Sequence, residues 1–527
     1  MNTPRSRRVA QWPLLMLLLL YALLAGGYFV LRYGGRWSDS DTANLTLATA
    51  AVAVEGTLVP SRGLYGLGFA YQALSAFVLC VSGLSLAQLQ FAVYPLLAAG
   101  LASIAFVLYR ELTGEAIMGA LAAFLLFLQP DFLFAIFRGS HEKVTWLAAL
   151  LALYLLANSF SQTGRLSRLI PQVLLFYLAV LALASSNALF GSSFIIALAL
   201  SLATGFVLLR LLHLDEGIAA RTVVRLTYVL LSALVLWFVL VFHLYTPAMR
   251  LLLDLKHVVD RAVAVILGIQ ARVDPYAAVT RGWVSRSAYL GLTLPTWTAA
   301  AASFATWVYL GWQMLRGRRV LAPAAQQLMW LLYGAFGLQL AAAVALDQTG
   351  AISGNLQVRL FPAVMVVVFP MITWGMVHLW RGSMRPQPTR WLAALLCVGV
   401  LWASAASLLK ATNDPWLSNY LNLWTIHEEQ AVRWVEGHVQ HESVWLGLSG
   451  IRVASRAVAD GFGNESHNRP DTWIVDAETR ALLLSSADAM LSLKTGVPLP
   501  DVRGEHRTYD NGEAWMYQKR PRTPYQR

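Results

Sequence analysis

Apolar runs of about twenty residues recur from the N-terminus to about residue 410, and nothing else constrains this chain as strongly. Each is long enough to cross a hydrocarbon layer of ~30 Å as a helix, the one single-segment structure that satisfies its own backbone polar groups there. Of the 527 residues 57% are hydrophobic and 13% charged, where soluble domains carry about 25% charge. The chain therefore reads as an all-α polytopic membrane protein. Spans are expected at 12–31, 86–109, 116–136, 144–160, 169–186, 193–212, 226–245, 294–315, 325–346, 358–380 and 391–409, eleven in all. The net charge of +12 does not point to nucleic acid, because the arginines cluster in short loops between spans, the topogenic pattern of a cytoplasmic face. Cys80 and Cys397 stand alone in apolar stretches and read as packing residues, with no zinc or disulfide spacing.

Loop charge also decides an ambiguous segment, 66–83. If it does not cross, Arg5, Arg7, Arg8, Arg110, Arg165, Arg168, Arg221, Arg225, Arg316, Arg381 and Arg385 all fall on one side. If it crosses, every later loop flips and the asymmetry inverts. The positive-inside rule makes it an interfacial or re-entrant helix. The N-terminus is then inside and the C-terminus outside, as expected for a bacterial cytoplasmic-membrane protein. The run 12–31 is too long for a signal-peptide core and lacks a small-x-small cleavage site, so it reads as a retained first span.

Three outer pieces are long. The first, 32–85, holds Ser38-Asp39-Ser40-Asp41 and the interfacial segment. The second, 246–293, contains an amphipathic run, 249–270, suited to a helix on the membrane surface, then Asp274-Pro275-Tyr276. The third is the polar tail, which divides the chain into a membrane module, 1–410, and a small extracytoplasmic α/β domain, 411–527. In the tail, 425–439 reads as a helix with Thr425 as N-cap and Glu428 at its third position. Short strands are expected at 443–448 and 472–475, and a hairpin over 507–519 turning at Asn511-Gly512 as a type I′ pair. His438 and His441 read as a solvated pair.

The span interiors hold essentially no Asp, Glu, Lys or Arg, which argues against the alternative of a lipid-linked-glycan flippase or other ion-coupled transporter. The ionisable groups gather instead at the outer rim. Asp39 and Asp41 follow the first span in a loop otherwise poor in charge. They are expected to be catalytic, one taking the proton of an acceptor hydroxyl and the other orienting it or binding a metal. The alternative is two solvated loop acids, with Ser38 or Asp39 capping a helix that starts near Thr42. Arg138-Gly139-Ser140-His141-Glu142-Lys143 packs four ionisable residues between two spans. Arg138 and Lys143, with Arg359 one turn into a later span, suit a donor phosphate. Glu142 is a further candidate catalytic carboxylate, and Asp41 with His141 would be the ligands of any metal.

Together these motifs resemble the GT-C superfamily of integral-membrane glycosyltransferases, which includes the protein O-mannosyltransferases, the aminoarabinose transferase of lipid A and the Rgt-type enzymes. The matches are the first-loop acids Asp39 and Asp41, the interfacial segment, Arg110-Glu111-Leu112-Thr113-Gly114, Gln129-Pro130-Asp131-Phe132, His141-Glu142-Lys143 and Tyr509-Asp510-Asn511-Gly512. The chain departs from the mannosyltransferases in having Asp-Ser-Asp where they have adjacent Asp-Glu, and in lacking their long hydrophilic insertion. The resemblance implies a sugar donor linked to polyprenyl phosphate, a glycan, lipid or protein acceptor, and inverting transfer outside the membrane. It leaves the cofactor open, since some relatives need a divalent metal and others do not.

Overall fold

A computed structural model describes residues 11–34, 40–57, 69–161, 166–211, 247–271, 286–316, 321, 324–350, 356–383, 390–412, 425–439, 444–446, 481–495 and 498–518. Asp39, the expected span 226–245, Asp274-Pro275-Tyr276, His441, the strand expected at 472–475 and the side chain of Cys397 lie outside them. The protein is mostly helical, with a small sheet near its C-terminal end. Among the described residues four helices are long and apolar enough to cross a membrane: Gln11–Tyr33, Leu86–Thr113, Ala325–Asp347 and Leu356–Val377. Helix Ala70–Ser82 has 13 residues, a rise of about 20 Å, short of the ~30 Å that a crossing needs. It closes on Gly83, left-handed at φ 67°. It turns Tyr71, Gln72, Ser75 and Ala76 inward. Cys80 lies off that face and is exposed, so it is not the packing residue that its apolar neighbours suggest.

The run 116–136, expected as one span, is two helices. Ala116–Phe127 and Pro130–Phe137 meet at 76°. Pro130 is the cause: it keeps Gln129 extended, at φ −88° and ψ 122°, and itself starts the second helix. The carbonyl of Leu128 accepts from Ser407 Oγ, and Gln129 Oε1 accepts from Thr296 Oγ1 at 3.3 Å, so helices from the other half of the chain satisfy the break. The bend delivers Arg138 to the end of a short, reoriented helix.

Close helix packing holds this frame. A Cβ on Gly26 would come within 2.8 Å of the Pro95 carbonyl oxygen, and one on Gly119 within 2.6 Å of Arg110 N. Trp307 and Trp330 stack 5.2 Å apart, and each indole N–H donates to the other residue's carbonyl at 3.0 Å. Helix Pro247–Ile266 is tied by Arg261 Nε to the Thr349 carbonyl at 3.0 Å and leaves Val259, Val263 and Ile266 exposed along one side, as a surface helix should.

In the tail, β1 (Val444–Leu446), β2 (Ala481–Ser485), β3 (His506–Asp510) and β4 (Ala514–Gln518) form one sheet in the order β1-β2-β4-β3. The central strand β2, buried along its whole length, is absent from the reading of the sequence, because a five-residue apolar run has no alternating pattern. The hairpin forms where expected, but not through a type I′ pair: Asp510 pairs with Trp515, and Asn511 Oδ1 accepts from the backbone N–H groups of Glu513 and Ala514. Helix Ile426–His438 packs Ala431, Val432 and Val435 on this sheet and begins with the expected capping box. His438 is exposed and stacked on Trp434 at 4.7 Å.

The capping glutamate is unusual. Glu428 is buried, and its Oε1 has no hydrogen-bond partner. Burial, with the nearby acids Asp488 and Glu513, pushes its carboxyl up to about 7 against the hydrogen bonds of Thr425 and Ser485. A carboxyl raised on folding stabilises the fold below its unfolded value near 4.5, and that contribution is lost as pH rises towards 7. Glu428→Gln, which keeps the cap, is expected to raise the melting temperature of the tail domain at pH 8 and leave it unchanged at pH 4.5. The gap corresponds to roughly 3 kcal/mol at most. Tryptophan-fluorescence melts of the solubilised chain would show this.

Candidate functional site

The segment 138–143 joins helix Pro130–Phe137 to helix Glu142–Ser161. Arg138 forms an ion pair with Glu142, donates from Nε to Ser140 Oγ at 3.2 Å, and lies 4.4 Å from the Phe134 ring centroid. Glu142 precedes the apolar stretch 144–160. Burial works to raise its carboxyl, but the guanidinium of Arg138, with His141, outweighs burial and holds it well below the usual carboxylate range. Glu142 is therefore ionised at any ordinary pH and is a weak proton acceptor. Its geometry is that of a partner fixing Arg138.

Lys143 is buried, and its Nζ donates to the carbonyls of Arg138 and Ser140, each at 2.7 Å. The ammonium also lies 5.3 Å from the Tyr71 ring centroid and 5.2 Å from that of Tyr94. It closes the turn after helix Pro130–Phe137, supplying donors to carbonyls that the helix end leaves over. His141 is oriented from the far side. Asn187 Oδ1 accepts from Phe190 N at 3.0 Å, capping the helix Ala188–Leu211, which leaves Asn187 Nδ2 to donate to His141 Nε2 at 3.2 Å. That assigns the ring proton to Nδ1, 3.8 Å from Glu142 Oε2.

The segment meets the helix that follows the first loop. Helix Ser40–Glu55 carries Asp41 in its first turn and Thr42 next to it. A Cβ on Gly139 would come within 2.8 Å of Thr42 Cγ2 and would collide with Gln90 Oε1. The glycine between Arg138 and Ser140 thus packs against Thr42, the residue that follows Asp41. Gln90 belongs to a π-helical turn, Leu89–Val93, inside the span-length helix Leu86–Thr113. Its Oε1 accepts from Tyr71 at 2.9 Å. Gln90, Tyr71, Gly139 and Asn187 are the members that reading the sequence missed; the one available signal was a glutamine inside an apolar run. Arg359 is exposed on the first turn of helix Leu356–Ser383, whose leading N–H groups are capped by Asp347 at 2.8 and 2.9 Å. Among the described residues no three His, Cys, Asp or Glu side chains group as metal ligands.

Gly139→Ala is expected to separate the segment from Thr42 and Gln90, lowering stability by about 1–3 kcal/mol. A melting temperature equal to that of the parent would mean the contact is slack.

No family model matches the chain, and no curated protein matches it in sequence. Solved structures do match in fold. One is ArnT from Cupriavidus metallidurans bound to undecaprenyl phosphate, at 13% identity and a TM-score of 0.50, covering 94% of this chain and 97% of that one. Another is the apo oligosaccharyltransferase of Archaeoglobus fulgidus, at 11% identity and a TM-score of 0.51, covering 84% of this chain. The chain spans 64% of that enzyme's length. The archaeal AglB in complex with an inhibitory peptide and a dolichol-phosphate matches at 12% identity and a TM-score of 0.51, over 85% of this chain and 64% of that one. ArnT and AglB are both GT-C glycosyltransferases, and this chain has their fold.

Proposed function

We propose that the protein is a membrane glycosyltransferase that moves a sugar from a polyprenyl-phosphate-linked donor to an acceptor on the extracytoplasmic face, with inversion. The observation that carries this reading is the junction at Gly139, where the 138–143 segment meets the helix beginning at Ser40 and Asp41. The junction has Arg138 on one side and the helix that begins at Ser40 and Asp41 on the other, within a fold shared with enzymes whose structures hold dolichol-phosphate and undecaprenyl phosphate.

In this reading Asp39 or Asp41 takes the acceptor hydroxyl proton as that oxygen forms its bond to the anomeric carbon. The bond from that carbon to the phosphate oxygen breaks, and the phosphate leaves with the electron pair. Arg138, held by Glu142, stabilises the growing charge, and Arg359 is a second candidate contact. Glu142 and Lys143 serve the geometry of the segment, a narrower role than catalytic carboxylate and phosphate ligand. Asp41 and His141 are the side chains that would hold a divalent metal; the described residues add no third ligand, and no step above depends on one. The chain would lie in a bacterial cytoplasmic membrane with eleven spans, its N-terminus inside and its domain of residues 411–527 outside. The acceptor is a glycan, lipid or protein.

Asp39→Asn and Asp41→Asn, made singly, are expected to lower transfer from a labelled polyprenyl-phosphate sugar by roughly 10²–10⁴-fold in at least one case. Both proteins should still insert in the membrane. Parental activity in both variants would overturn the assignment. Mass spectrometry of envelope glycans and lipids from a strain lacking the gene would identify the acceptor.

A further inference from the structure

Helix Pro130–Phe137 has one open face. Pro130, Phe132, Leu133, Ile136 and Phe137 are buried, which leaves Asp131 exposed and Phe134, Ala135 and Arg138 half-buried. At about 3.6 residues per turn, positions 131, 134 and 138 fall in one stripe. An acid in a first turn complements the helix dipole whichever way it is turned. This one stands on the uncovered face of a helix at the membrane rim, and hydrocarbon would not accept a carboxylate there. The face therefore opens to water or to a polar ligand.

No step of the transfer uses Asp131, and its charge is uncommitted. Among the described residues no ion pair engages its carboxylate, because Arg138, the cation of the same stripe, is paired with Glu142. The Arg138 guanidinium lies 4.4 Å from the Phe134 ring centroid, which brings its charge back along the helix toward Asp131. Side chains three residues apart on a helix have Cβ atoms about 5–6 Å apart. A cation and an unspent carboxylate thus stand about one turn apart on one face, with the apolar Phe134 between them. A sugar carried on a phosphate has the matching order: an anionic group, then the C–H groups of a ring, then hydroxyls.

We propose that Asp131 is the sugar-recognition residue of this site, its carboxylate accepting hydroxyl groups of the donor sugar while the donor phosphate lies against Arg138. The inference rests on the reading of the site as one for a polyprenyl-phosphate-linked sugar. A carboxylate can accept from two hydroxyls at once, and it repels a second carboxylate brought beside it. The substrate class is then a sugar without acidic groups, and Asp131 is a specificity-determining residue. Pro130 sets where it stands, since the proline starts the helix and Gln129 before it is held by Thr296.

The test uses the full chain in detergent and two synthetic lipids that differ by one charge, undecaprenyl phosphoglucose and undecaprenyl phosphoglucuronate. The parent is expected to bind the glucose lipid about 10-fold or more tighter than the glucuronate lipid. Asp131→Asn keeps an acceptor oxygen and removes the charge; Asp131→Ser removes the charge with a smaller side chain. Asp131 is exposed, so both variants are expected to fold. Each should narrow the parent's preference by about 5-fold or more, chiefly through tighter binding of the glucuronate lipid. A general loss of structure would weaken both lipids together and leave the preference in place. If the parent does not discriminate, or if the variants keep its preference, the inference falls alone. Undecaprenyl phosphate against undecaprenol, which lacks the phosphate, checks the reading beneath it: equal binding of those two by the parent would overturn the polyprenyl-phosphate reading as well.

Discussion

The candidate site depends on a proline. Without Pro130 the run 116–136 would continue as one rod and carry residue 138 along its axis. With it, the chain turns by 76° and enters a short helix whose end is Arg138. The turn exposes backbone groups that hydrocarbon cannot satisfy, and the protein brings polar side chains to it from far along the chain. Ser407 reaches the carbonyl of Leu128, and Thr296 reaches the side chain of Gln129. The break is therefore part of the tertiary structure: it exists only if the later helices pack against it.

Beyond the bend, charge is organised more tightly than a list of rim residues conveys. Glu142 and Arg138 neutralise each other across the short loop between two helices, so neither is a free ion at the surface. Lys143 turns back into the protein and spends its donors on carbonyls of its own segment. His141 takes its tautomer from Asn187, which belongs to a different helix pair. Four ionisable side chains in six residues thus divide their work. Glu142, with Ser140, fixes where the Arg138 guanidinium stands.

The tail shows the same division between local and long-range information. The helix Ile426–His438 with its Thr425 and Glu428 cap is readable from four residues, because a capping box is a local hydrogen-bond pattern. The hairpin is readable as a hairpin, since Gly512 accepts φ 89° without strain. Its turn type is not, because the Asn511 side chain replaces a backbone bond and lengthens the loop. The strand Ala481–Ser485 is invisible alone: flanked by β1 and β4 it is buried on both faces, and nothing in Ala-Leu-Leu-Leu-Ser distinguishes a buried strand from a buried helix turn.

What the sequence alone determined follows from period and composition: an apolar, mostly helical chain, a polar tail, a segment at 66–83 whose flanking loop charge argues against a crossing, and a set of ionisable residues at the ends of the apolar runs. Hydrophobic length and loop charge are local sums, so they survive being read without coordinates. The tertiary structure decided which of those residues meet. Gly139 touches Thr42 and Gln90, from 97 and 49 positions earlier in the chain, because a glycine lets three elements close on one point. Burial then set the chemistry of that point: Glu142 bound to Arg138, Lys143 turned inward, and Gln90 left with unspent donors. Hydrogen-bond partners and desolvation belong to neighbours in space, and a linear sequence does not hold them.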